Sequence, residues 1–274
     1  MVIREVPLRL KGKIMIGKAH QRIIREKKSQ ESPHDLFGNY WDNINKDIDN
    51  GIIKEIDSQT AKKIILEYEW LGTMGTTQTH YGIFFDKYLG GVVCYGYFQA
   101  MNTNSGGHPY APYVGIKYAK QGIQLSRGAC VHWCHKHTGS KLIGTTLRLM
   151  SQKGFKYVIA FSDPEAGEIG TLYQATNWYY LGFGNTKHHD IYYKNGKIYL
   201  NDRDFYKKFK TRSKKSMEDF IKTNNNLEIK LRKPKGRYIY LLGTKKEKKE
   251  MTKTLNDKIK PYPKRNYATK NRKI

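Results

Sequence analysis

The sequence predicts an α/β fold, a mixed sheet with helices on its faces. Three observations carry that prediction. Apolar runs of strand length alternate along the chain with segments of helical periodicity. The run KYVIAFSD (156–163) is apolar throughout until its end, as a strand buried on both faces would be. Asn195-Gly196, between two tyrosine-rich runs in DIYYKNGKIYL, is the strongest short hairpin signal.

The elements follow in order. GIIKEI (51–56) reads as a strand. Residues 57–72 read as a helix, capped by Ser58 or Thr60, with Ile64, Ile65 and Tyr68 on one face and Gly72 ending it. Residues 79–99 form a hairpin around DKYLGG, and 122–133 form another strand. Residues 138–155 are a helix, with Thr138 or Ser140 as cap, Ile143, Leu147 and Met150 sharing a face, and Gly154 closing it. A Gly-rich loop, a short helix and a turn occupy 164–184, and GRYIYLLG (236–243) is the last strand. The expected organisation is a basic N-terminal arm (1–50), a core domain (51–243) with a basic insertion at about 202–236 that holds a short helix at SMEDFIK, and a flexible basic tail (244–274). In open sheets ligands sit at the carboxyl ends of the central strands. That gathers 126–134, Asp163 and the loops after it.

Fifty Lys and Arg face 24 Asp and Glu, a formal net charge of +26. Self-repulsion on that scale points to a polyanionic partner, nucleic acid above all. A merely solubilising basic surface is the bland alternative. The lack of a long apolar segment or lipidation motif argues against a membrane partner. Three cysteines, Cys94, Cys130 and Cys134, cannot all pair with one another, which fits a reducing cytosol, and the charged N-terminus is not a signal peptide. The protein is expected to act inside the cell that makes it.

Several residues suggest chemistry. Asp163 ends a buried strand at the rim of the sheet and either acts there or caps the loop amides. Tyr173 follows on the short helix, as an acid or as a packed ring. His80 and Tyr81 open the hairpin. Arg127 lies in a strand that reads as buried, so it needs an anion, either a protein carboxylate or a ligand phosphate. The stretch CVHWCHKHTGS (130–140) invites a metal reading. A strand running through Trp133 would set Cys130 and Cys134 ~13 Å apart, too far for one tetrahedral ion. Cys134, His135 and His137 remain as a loop set.

FSDPEAGEIGTLYQATNW (161–178), with QLSRGA (124–129) and THYG (79–82), resembles the Mom family of phage DNA-modification proteins. The match spans roughly His80 to Trp178 and leaves the basic arms uncovered. The resemblance implies a GNAT-like acyltransferase fold, with a mostly antiparallel sheet, helices on both faces and the donor between the strands at 124–133 and 156–163. It also implies conversion of adenine in DNA to its N6-carbamoylmethyl form, protecting phage DNA from restriction in the cytoplasm of the bacterial host. Tyr173 takes the place of the tyrosine that protonates the leaving group in such enzymes. Asp163, His80 and Arg127 complete the catalytic candidates. Candidates for holding substrate or donor are Tyr81, Ser126, Ser140, Gly167, Gly170, Asn177 and Trp178, with Tyr81, Trp133 and Trp178 as stacking surfaces for a flipped or single-stranded base.

Two positions depart from the pattern. HKHTGSKLIG (135–144) lacks the glycine spacing of a CoA pyrophosphate loop, and Gly82 stands where a serine is expected. The donor therefore stays open between acetyl-CoA and glycyl-tRNA. Metal-assisted chemistry with iron is a further option, although the spacing of the Cys and His residues does not support it. Three rival readings remain: a non-catalytic nucleic-acid-binding protein, an acetyltransferase for another amine, and an adenine methyltransferase suggested by SDPE. The last lacks the second proline, the aromatic and the cofactor loop that such a motif requires.

Overall fold

A computed structural model describes residues 9–10, 13–14, 18–31, 44–98, 108–184, 188–196 and 198–265. Two short strands, β1 (Arg9–Leu10) and β2 (Lys13–Ile14), pair near the N-terminus. Helix α1 (His20–Glu31) follows, within the span of the expected basic arm. It lies on the body: Gln21 Nε2 donates to the Gly128 carbonyl (2.6 Å) and Arg25 to the Cys134 carbonyl (3.2 Å). The expected basic arm thus includes a docked helix, while much of 1–50 lies outside the described residues.

The body is built from β3 (Ile52–Ile56), α2 (Ser58–Tyr68), β4 (Thr79–Phe85), β5 (Tyr88–Gly96), the short helices α3 (Ala111–Val114) and α4 (Ile116–Ala119), β6 (Gly122–Cys130), α5 (Thr138–Gln152), β7 (Tyr157–Ser162), α6 (Thr171–Ala175) and β8 (Tyr179–Phe183). An outlying unit follows, with β9 (His189–Tyr193), β10 (Ile198–Leu200), α7 (Asp202–Phe209), α8 (Lys214–Ile221) and β11 (Leu227–Leu231). The chain then returns through β12 (Gly236–Leu241) and α9 (Lys245–Leu255).

The main sheet has seven strands in the order β3-β4-β5-β6-β7-β12-β8. Every neighbouring pair is antiparallel except β6 with β7. Alternation along β7 serves two cores. Val158 and Ala160 join the cluster that contains Leu142, Ile143 and Leu147 of α5, while Tyr157 and Ile159 join Met251 and Leu255 of α9. Helices therefore cover both faces, as the sequence predicted. β6 and β7 pair only from Gly122↔Tyr157 to Leu125↔Ala160. Beyond that β6 stays with β5 and β7 with β12, so the two parallel strands part.

Local corrections have simple causes. The cap of α2 is Asp57, whose carboxylate accepts from the Thr60 amide at 2.8 Å, not Ser58 or Thr60. α5 starts without a side-chain cap, because the Thr138 hydroxyl is spent on the His135 carbonyl (2.7 Å). β6 stops at Cys130, three residues before Trp133, where a turn begins. That early stop brings the Cys130 and Cys134 thiols close enough to influence one another, against the ~13 Å separation an unbroken strand would impose.

The expected flexible tail is corrected over 244–265. A capping box, Thr244 with Glu247, opens α9, and Lys156 pairs with Glu247 at 2.6 Å. Met251 and Leu255, four residues apart on one helix face, are fully buried. Tyr262 then donates to the Trp178 carbonyl at 2.5 Å. Two well-spaced apolar residues and a cap outweigh the charge count in that segment.

The basic insertion likewise folds. β10-β9-β11 form a three-stranded sheet covered by α7 and α8, with Ile191, Phe205, Met217 and Leu227 as its own core. α8 matches the short helix expected at SMEDFIK, and α7 was not anticipated. Arg232 ties the unit together, pairing with Asp190 (2.5 Å) and Asp202 (2.6 Å), both nearly buried. Tyr192 fastens it to the loop after β7 through Glu165 Oε1 (3.0 Å).

Candidate active site

The parting of β6 from β7 opens a cleft of roughly 250 Å³. Its chemistry comes from Glu69 at the end of α2, Arg127 on β6, and Glu168 and Tyr173 from the segment between β7 and β8. No ladder bonds cross the gap there, so side chains from four elements meet in a space the sheet does not close.

Arg127 is held from several sides. Its Nε donates to the Thr73 carbonyl at 2.6 Å and its Nη1 to the Ser126 carbonyl at 2.7 Å, and Glu69 lies 3.9 Å from Nε. The anion this buried guanidinium requires is thus a protein carboxylate. Burial raises the Glu69 carboxyl above its ordinary value, and the Arg127 charge opposes that rise.

Glu168 is the most perturbed acid in the cleft. Burial and then the Glu69 charge push its carboxyl up to about 7, against the pull of the Asp163 amide. Its one hydrogen bond is a long one, accepted from that amide at 3.5 Å. Among the described residues no Lys, Arg or His lies within ion-pair distance of it. In a chain of charge +26, a half-buried carboxylate without a cation is conspicuous. The loop that presents it is short and tightly turned. Gly167 (φ 68°) and Gly170 (φ 70°) both take the left-handed conformation, and a Cβ on Gly170 would run into the Tyr238 ring.

Tyr173 lines the cleft with its ring packed on Trp178 and Tyr238, each 5.1 Å away between centroids. Burial, then the Glu168 charge, holds its phenol far above the ordinary value, so it stays protonated. Ser126 and Gly170 also line the cleft.

Other expected residues lie elsewhere. Asp163 caps the turn after β7, accepting from the Glu165 amide (3.0 Å), and pairs with Lys235 (3.0 Å); it is not among the cleft-lining residues. The capping alternative considered for it is the one realised. His80 is buried on β4, two strands from Arg127, hydrogen-bonded to Thr77 (2.9 Å), with burial lowering its pKa. Tyr81 is buried against Tyr95 and Lys153. Trp178 is fully buried and offers no open stacking face, while the partly buried Trp133 meets the Phe85 ring in a T-shaped contact. Gly167 and Asn177 (φ 61°) shape turns, and Ser140 lies within α5 outside the cleft lining. At the start of α5, Gly139 lines the cleft, and a Cβ there would stand 3.0 Å from the Leu172 side chain.

Cys134, His135 and His137 are not gathered. Cys134 is buried with its thiol donating to the Val131 carbonyl (3.1 Å), while the two histidine rings pack on each other at 5.2 Å. Cys130, donating to it, lowers the Cys134 thiol to about 7. Among the described residues no three His, Cys, Asp or Glu side chains form a group that could hold a metal ion. None of their helices is long and apolar enough to cross a membrane.

Glu69 and Glu168 were not singled out in the sequence. Glu168 lay in plain view within the string that carries the resemblance, but nothing local distinguishes it from Glu165. Glu69 reaches the cleft from a helix over fifty residues away in the chain.

The fold and site define an α/β protein with an acid-base cleft between splayed parallel strands. Residues 50–264 match the model of the Mom protein family, and the chain belongs to that family. It is 26% identical over 195 residues to the methylcarbamoylase mom of Escherichia phage Mu, covering 68% of this chain and 71% of that protein. Similar solved structures include an IAA acetyltransferase from Bacillus cereus (11% identity, 70% of this chain and 99% of that chain, TM-score 0.37). An N-acetyltransferase from Staphylococcus aureus is another (11%, 71% and 99%, TM-score 0.39). A third is a GNAT family acetyltransferase from Elizabethkingia anophelis with acetyl-CoA bound (11%, 71% and 99%, TM-score 0.38).

Proposed function

We propose that this protein is a DNA-modifying transferase that places an acyl group on the exocyclic amine of adenine, leading to the N6-carbamoylmethyl base, and so shields phage DNA from host restriction. The observation that carries this reading is membership of the Mom family over 50–264, together with a cleft whose residues suit acyl transfer to a weak amine. The phage Mu relative is named a methylcarbamoylase, which agrees with that product.

The adenine amine is a poor nucleophile, because its lone pair is delocalised into the ring. Attack needs proton removal and a stabilised carbonyl oxygen. Tyr173, kept protonated by its surroundings, suits the donor of a proton to the leaving group. Arg127, fixed by Thr73 and Glu69, supplies positive charge at the cleft wall. A glycyl donor reconciles acyl transfer with the product. The glycyl carbonyl joins the adenine amine, and the glycyl amine then attacks the ring carbon. The original nitrogen departs from that carbon and becomes the terminal amide. Glycyl-tRNA is favoured over acetyl-CoA by the sequence at the start of α5, which lacks the glycine spacing of a CoA pyrophosphate loop.

The target base is reached by flipping or in a single strand. The folded basic unit beside the cleft suits backbone contact, with fourteen Lys and Arg against six Asp and Glu over 188–235. Mass spectrometry of DNA from bacteria expressing the wild type or Arg127→Ala, grown with labelled glycine, tests the reading. Labelled carbamoylmethyl-adenine with the wild type and its loss in the variant are expected. Unmodified adenine with the wild type sinks it, and unlabelled product sinks the glycyl donor alone.

A further inference from the structure

We propose that Glu168, not Asp163, accepts the proton from the attacking amine, with Glu69 as its neighbouring acid in the cleft. The inference rests on the acyl-transfer reading above and names the group that reading still needs.

The two carboxylates separate on geometry. Asp163 is already used, by Lys235 at 3.0 Å and the Glu165 amide at 3.0 Å, and is not among the residues that line the cleft. Glu168 faces the cleft with one long amide contact and no described cation. An ionised carboxylate in that state is costly to bury, and over a surface rich in lysine a neutralising partner would be easy to supply. The site instead keeps it unpaired, which is what a proton acceptor requires.

Ionisable groups from several elements surround it. Glu69 approaches from α2, Arg127 from β6 (paired with Glu69), Asp163 from the end of β7, Tyr173 from α6, and Lys235 from the start of β12, paired with Asp163. Arg265, from the C-terminal segment, also lines the cleft. Burial, and then the like charge of Glu69, outweigh Lys235, so the group takes a proton readily at cellular pH.

The step balances. The amine nitrogen bonds to the donor carbonyl carbon as one N–H proton passes to the Glu168 carboxylate. The bond from that carbon to the leaving oxygen then breaks, and the oxygen takes a proton from the Tyr173 hydroxyl. The Glu168 carboxyl returns its proton to the tyrosinate, which restores both groups.

The test compares wild type, Glu168→Gln, Glu168→Asp and Glu69→Gln in bacteria for modified adenine, and as purified proteins given DNA with glycyl-tRNA across pH 5.5–9. We expect Glu168→Gln to lose about 10²–10⁴-fold in rate while still binding DNA, with Glu168→Asp partly active. The wild-type rate should rise with pH through about 7, and Glu69→Gln should move that rise to lower pH. A Glu168→Gln protein that modifies DNA at the wild-type rate with the same pH rise overturns the assignment and leaves the function intact. A wild type that modifies no adenine in cells overturns both.

Discussion

Replacing Glu168 by Gln should stabilise the folded protein at alkaline pH and leave it nearly unchanged in acid. In the fold the carboxyl ionises at about 7, against an ordinary 4.5. The folded value lies above the unfolded one, so ionisation opposes folding. The penalty is absent well below 4.5 and fully present above about 7. At about 1.4 kcal/mol for each tenfold, the full difference is about 3.5 kcal/mol. The side chain opens partly to the cleft, where water screens it, so a gain of roughly 1–3 kcal/mol is the expected range. Urea unfolding of the two proteins at pH 4.5 and pH 8 reads it directly, as a midpoint difference that grows with pH. An equal difference at both pH values, or a variant less stable at pH 8, would mean that Glu168 is not an unpaired buried acid. The same number expresses a trade: a base kept ready for the amine is held at the expense of the fold.

Other consequences follow from the same contacts. Arg232→Ala leaves Asp190 and Asp202 buried without their cation and should cost about 3–5 kcal/mol, seen as early loss of protection across 188–232 in hydrogen exchange. Lys208 lies over the Phe209 ring and Arg212 over Tyr206, with no acid paired to either among the described residues. The double variant to Ala should lower the slope of log affinity for DNA against log salt by about 2, with an unchanged slope placing DNA elsewhere. Met251→Ala removes a fully buried side chain from α9 and should cost about 2–5 kcal/mol by thermal or urea unfolding. A cost near zero would return this segment to the status of a tail.

Legibility followed the range of the forces involved. Strands and helices with strong local period were readable within a few residues: the run at 156–163 is β7, the Asn-Gly turn joins β9 to β10, and Ile143, Leu147 and Met150 do share the buried face of α5. Charge misled where a few apolar residues decided the outcome. The tail and insertion were read by composition, yet Met251 with Leu255, and Phe205 with Met217, were sufficient to build cores. Caps were missed by a residue because Asp57 and Ser58 are equally good candidates until the backbone chooses.

The sequence by itself determined the fold class, the family and the string that runs along one wall of the cleft, because these depend on periodicity and on a contiguous motif. Its net charge pointed to a polyanionic partner, a reading that needs no geometry. Only the tertiary structure decided which carboxylate is free. Asp163 and Glu168 are five residues apart and chemically alike, and what separates them is Lys235 from a distant strand and Glu69 from a distant helix. Burial and charge pairing are sums over neighbours that the chain order does not reveal. The acid that looked placed for chemistry proved to be a cap, and the one that looked incidental faces the cleft.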